Sequence, residues 1–328
     1  MGHYRATVAL VLAGFLYGCN DGGGADSGAS SSAANSVANV STTTPPPAGT
    51  GTGVYAREPI VASCDAGTLT APEKQAVLAE LNAVRALHRL PAVTYDPSAD
   101  IYEQKSALIG VANRQLTHTP PTSLYCFTQE GAQGSAQSNL FLAGGYSPAS
   151  TDSIAQFLID DAVDSLGHRR WVLHPFLSQT SFGRVDGLPL TGGAVRYSAM
   201  SLRVIGYPDA NLSATDVAYI AYPEGNYPAR YFKHGWFMSF SVLAAKTGTW
   251  ANDGATVDFS SAAIQVSGSG GAPLQVTDRS HNNQGFGLPN IVQWKVVGTQ
   301  DNVSYAVRIA GVKVNGAVRE YQYGFRIQ

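Results

Sequence analysis

Beyond Gly183 the hydrophobic pattern of this chain changes its period from helical to two, and that switch bounds the fold more tightly than any other feature. Ahead of it, Thr70-Ala71-Pro72-Glu73 has the form of a capping box with proline in the first turn. Val77, Leu81, Val84 and His88 follow near helical spacing, and Leu90-Pro91 ends the run. Asp96-Pro97 then offers a cap for a second helix that carries Ala99, Tyr102, Ala107 and Leu108 and is expected to end near Leu116-Thr117-His118. A third helix is expected from Asp152 to about Ile159, with Ile154, Phe157 and Leu158 on one face. After the switch, Tyr305, Val307 and Ile309 alternate with polar or small neighbours, as do Tyr321, Tyr323, Phe325 and Ile327. Asn315-Gly316 between such runs is a hairpin signal. The expected class is therefore α+β, with a mixed domain over 61–245 and a β-sandwich-like domain over 250–328.

The N-terminal segment 1–19 reads as a targeting signal. His3 and Arg5 precede an apolar stretch from Ala6 to Leu16, and Leu16-Tyr17-Gly18-Cys19 follows. This box resembles the lipobox of bacterial lipoproteins, in which the cysteine is acylated and becomes the mature N-terminus; a plain signal peptide is the alternative. Residues 20–60 are mostly Gly, Ser, Ala, Thr, Asn and Pro, a composition that cannot bury a core and suits a tether. The expected location is outside the cytoplasm, lipid-anchored to the bacterial cell envelope through Cys19.

Charge and cysteine content sharpen that reading. Twenty-one basic residues against 23 acidic ones give a net charge of -2 without a run of one sign, which excludes a nucleic-acid partner of the usual basic kind. Only 13% of residues are charged, against about 25% in an average soluble domain, as suits a β-rich exported protein. Setting aside Cys19 leaves Cys64 and Cys126, an even pair expected to form a disulfide in an oxidising compartment. Two buried free thiols are the alternative.

Four elements carry a family resemblance: Leu81-Asn82-Ala83-Val84-Arg85, Leu116-Thr117-His118-Thr119, Ser138-Asn139-Leu140, and Gly167-His168-Arg169 with Leu173 and Pro175 downstream. In order and spacing they resemble the CAP superfamily of cysteine-rich secretory proteins, antigen 5 and pathogenesis-related 1 proteins, over about Ala71 to Phe240. The resemblance implies an α-β-α sandwich with a shallow cleft holding two histidines and two acids. His118 and His168 match the histidines by position. Ser138 stands where the family has its first acid, and Asp160 or Asp161 is the nearest candidate for the second. Asn139 and Arg169 are expected to line the same cleft.

Two imidazoles converging on a cleft can hold Zn²⁺ if a carboxylate from Asp160, Asp161 or Asp164 completes the set, or if one of these orients a ring from behind. Hydrogen-bonded cleft histidines without metal are the alternative. A Ser138–His–Asp triad can be written down, but no Gly-x-Ser-x-Gly elbow or His-Glu-x-x-His supports hydrolysis, which weighs against an enzyme. The expected function is a tethered non-catalytic module that binds a small apolar ligand, a glycan or a protein partner. A metal-assisted hydrolase acting on peptide or envelope material is the alternative.

Overall fold

Residues 53–161 and 163–328 are described in a computed structural model of the chain. The signal segment, Cys19 and the tether up to residue 52 lie outside the described residues. Within the last part of the expected tether, β1 (Tyr55–Arg57) pairs antiparallel with β2 (Thr68–Leu69), and Tyr55 is buried in the main core. The folded part thus begins ahead of residue 61, because a tyrosine in an otherwise small and polar stretch has apolar area to bury.

Thr70 accepts the Glu73 N–H and starts α1 (Ala71–Leu87), whose Val77, Leu81 and Val84 are buried. β3 (Thr94–Tyr95) leads to Asp96, which caps a short 3₁₀ turn that runs on into α2 (Asp100–Asn113). This helix stops short of the expected Leu116–His118, since Arg114 adopts a left-handed conformation, φ 52°, as its C-cap. A helix without a periodic apolar signal follows as α3 (Gln129–Ala136), capped by Thr128 and packed on α2.

β4 (Ser138–Gly144) comes next, then α4 (Ser150–Ile159), α5 (Gly167–Val172) and β5 (Gln179–Thr180), which pairs with β3. β6 (Phe182–Gly187) and β7 (Tyr197–Arg203) complete a three-stranded antiparallel sheet in the order β4-β7-β6. Its two faces are buried by different helices. Phe141, Ala143, Met200 and Leu202 share a core with Leu81 and Val84 of α1 and Ile154 and Phe157 of α4. Leu142, Val185 and Ala199 pack instead with Ala107, Leu108 and Val111 of α2. The period of two along each strand puts neighbouring residues on opposite sides. At Gly183 the α2 backbone comes so near that a Cβ would lie 2.2 Å from the Glu103 carbonyl carbon, so no side chain fits there.

The remaining strands are β8 (Tyr219–Tyr222), β9 (Gly225–Tyr227), β10 (Met238–Val242), β11 (Val257–Asp258) and β12 (Ala263–Ser267). After them come β13 (Val276–Asn282), β14 (Ile291–Val296), β15 (Ser304–Val314) and β16 (Ala317–Ile327). One sheet has the order β13-β14-β10-β8 and the other β11-β15-β16-β9, with β12 also on β15. Phe240 faces Tyr321 and Tyr323 across the gap at ring distances of 5.1 and 6.0 Å. Asn315 and Gly316, both at positive φ, turn β15 into β16 as their residue types require. β9 and β10 precede residue 245 yet pair with β16 and β14, which follow residue 250, so hydrogen-bonded sheets cross the boundary expected there. The chain is a mixed α+β protein whose largest core runs from β1 to β16.

Candidate functional site

His168 is the second residue of α5 and His118 lies in the loop after α2; each ring is fixed through Nδ1. The last helical carbonyls lack partners within their own helix. His118 Nδ1 meets one of these, the Ser135 carbonyl of α3, at 2.7 Å. A carbonyl only accepts, so Nδ1 carries the hydrogen and Nε2 keeps a lone pair. His168 Nδ1 lies 2.8 Å from Asp160 Oδ1, which sets the same tautomer. Nε2 of both rings is buried without a hydrogen-bond partner. The pKa of His118 lies below the usual imidazole value, chiefly through burial and also through the charge of His168, while its bond to the Ser135 carbonyl opposes this.

Asp160 stands at the end of α4 in a left-handed conformation, φ 54°, which folds its side chain back over the start of α5. Oδ2 accepts the main-chain N–H groups of His168 and Arg169 at 3.0 and 3.2 Å. With Oδ1 on the imidazole, both oxygens are occupied, so Asp160 orients His168 from behind. Phe157 stacks on the other side of the ring at 5.4 Å. Asn139 donates to the His168 carbonyl at 3.0 Å and ties β4 to α5.

The other candidates point elsewhere. Asp161 pairs with Lys233 at the surface, and Asp164 is exposed. Ser138, on the opposite side of β4 from Asn139, gives its hydrogen to Glu103 of α2. No imidazole accepts from it, so the triad that can be written from sequence is not assembled. Arg169 is wholly buried and donates to the carbonyls of Leu158, Ile159 and Phe237, with its guanidinium 3.8 Å from the centre of the Tyr222 ring. It braces α4 against β10 and, with Arg170, Leu173, Ile220 and Ser239, lines a small cavity. Among the described residues, no group of three or more His, Cys, Asp or Glu is placed to hold a metal ion.

Glu103 went unnoticed in the sequence. It accepts from Ser138 and Ser201 and lies 3.5 Å from Arg203, and burial raises its pKa to about 7 against those three stabilising neighbours. A signal existed, because Glu103 falls one helical turn from both Ala99 and Ala107, on the face that the apolar pattern marks as buried. The Cys64–Cys126 disulfide is formed and links the turn after β1 to the loop between α2 and α3. Neither a scan against models of known protein families nor a search of curated proteins finds a match for this chain.

Proposed function

We propose that this protein is a CAP-type recognition module, held outside the cytoplasm on the bacterial cell envelope by a lipid on Cys19, that binds a ligand or partner through His118 and His168. The observation that carries the reading is the pair of imidazoles fixed through Nδ1 with both Nε2 atoms unbonded. Two rigid rings whose Nδ1 hydrogens are already given leave Nε2 as the atom that a polar ligand, such as a glycan hydroxyl or a peptide amide, would meet. The helices on both faces of the β4-β7-β6 sheet support the α-β-α sandwich that the resemblance implies. Ser138 is engaged with Glu103 and Asp160 with His168, so neither is free to act as nucleophile or as general acid.

The test is extraction of the full-length protein from native membranes, followed by untargeted mass spectrometry of bound compounds. The wild type retains a compound that the double variant His118→Gln, His168→Gln loses. Identical extracts would remove the reading. The metal-assisted hydrolase stays as a second reading because two imidazole lone pairs are also what Zn²⁺ takes. Stoichiometric zinc in the purified protein, with a chelator-sensitive activity on peptide or envelope substrates, would favour it.

A further inference from the structure

Phe240 of β10 turns its ring to the other sheet, so its neighbours Ser239 and Ser241 face the opposite way, toward α5. Between these serines and Arg169 and Arg170 of α5 lies a cavity of about 20 Å³, room for a single water-sized particle. Ile220 and Leu288 are among the apolar residues that close it. Of the lining residues Ser241 alone is partly exposed, so it stands at the mouth. Arg169 donates to carbonyls and to Ser239 Oγ at 3.3 Å. Arg170, 6% exposed, donates to the Asn282 side chain at 2.7 Å and to the carbonyls of Gln284 and Leu288. None of these partners carries a charge, and the Nε hydrogen of Arg170 has no acceptor. Asp160 offsets part of the charge of Arg169, whereas burial acts unopposed on Arg170 and pulls its pKa down to about 9.

We propose that this cavity binds one small monovalent anion, a halide such as chloride, held by Arg170 and the hydroxyls of Ser239 and Ser241. Its polar side chains offer hydrogens. Ser239 Oγ already accepts from Arg169, which leaves its own hydrogen to give, and Ser241 and Arg170 Nε supply two more. A water molecule would have two hydrogens of its own to place among these donors, and it brings no charge. A halide accepts from every direction and supplies the negative charge that Arg170 lacks, an attraction far stronger in a dry interior than in water. The volume admits a single atom and excludes a phosphate, a sulfate or a carboxylate. The bound anion ties β10 to α5, the helix that carries His168, and needs nothing from either imidazole.

Chemical denaturation of the full-length protein in sodium chloride and in sodium gluconate at equal ionic strength tests the assignment, together with bromide soaked into a crystal and located by its anomalous scattering. Chloride should raise the unfolding midpoint saturably, with its half-effect at millimolar concentration. Gluconate, too large for the cavity, should not. Bromide should appear between Arg170 and the two serines. Ser241→Ala removes one donor at a partly exposed position that leaves the fold intact. It should weaken the apparent chloride affinity at least about fivefold, as expected for one hydrogen bond to an ion. Equal stability in the two salts, with only water in the cavity, would overturn the proposal. So would a chloride effect that Ser241→Ala leaves unchanged, or bromide that binds elsewhere and not here.

Discussion

Asp160 holds His168 from two directions, taking the ring Nδ1–H on one oxygen and the main-chain N–H of the same residue on the other. One carboxylate thereby fixes both where the imidazole sits and which of its nitrogens is left unbonded. Replacing it with asparagine keeps the shape but removes the charge and one acceptor. Asp160→Asn should cost about 1–3 kcal/mol, since the lost bonds are charge-assisted and buried. It should also release any ligand retained through His168. Chemical denaturation and analysis of bound compounds would both register the change, and an unchanged pair of readings would refute the orienting role.

The Cys64–Cys126 disulfide closes a loop with a sequence separation of 62 residues. On the chain-entropy account such a closure contributes about 4 kcal/mol through the unfolded state. Cys64→Ser with Cys126→Ser should lower the unfolding free energy by that order. Adding reductant to the wild type should do the same, without further effect on the double variant. Mass spectrometry of unreduced peptides that found two alkylatable thiols would contradict the pairing.

Glu103 gives a stability signal of definite sign. Its carboxyl holds a proton up to about pH 7 in the folded protein, against an ordinary value of 4.5. The folded state therefore binds the proton more tightly, and the resulting stability is fully present below pH 4.5 and lost as pH rises through 7. The difference of 2.5 units corresponds to about 3 kcal/mol. Glu103→Gln keeps the shape without the titration, so its stability relative to wild type should improve by about that amount between pH 4.5 and 8. A relative stability independent of pH would refute this.

His88 acts with the opposite sign. Its Nδ1 donates to the Ala221 carbonyl at 2.8 Å and its Nε2 meets the Tyr227 hydroxyl at 3.0 Å, so the buried ring is neutral. Burial first, and then the charges of Arg169, Arg89 and Arg85, lower its pKa from 6.5 to about 3, although the Ala221 carbonyl opposes the shift. Stability from this group is fully present above pH 6.5 and is lost as pH falls through 3. His88→Gln should remove one proton's worth of slope, about 1.4 kcal/mol per pH unit, from the unfolding free energy between pH 3 and 6.5. Denaturant titrations across that range would show it, and an unaltered slope would rule it out.

The Leu16–Cys19 box predicts fractionation behaviour. Cys19→Ser should move the protein from the membrane to the soluble fraction of cells. Membrane retention of the wild type with an unmodified Cys19 would refute the anchor.

Local features were legible because local chemistry decides them. Thr70 and Pro72 start α1 where their residue types say a helix starts, and Asn315-Gly316 turns β15 into β16 because few other pairs adopt two positive φ angles. An even pair of cysteines left one possible disulfide within the fold. What the chain order could not reveal was pairing over distance. β9 lies beside β16, and β10 beside β14, because apolar faces such as those of Tyr227 and Phe240 must find cover wherever the chain supplies it. The place of Ser138 was fixed in the same way. Strand geometry alone puts Asn139 and Ser138 on opposite faces, but only the packed helices determine that one face meets His168 and the other Glu103. Residue type thus determined where elements begin, turn and end, while burial of non-local faces decided which side chains share a site.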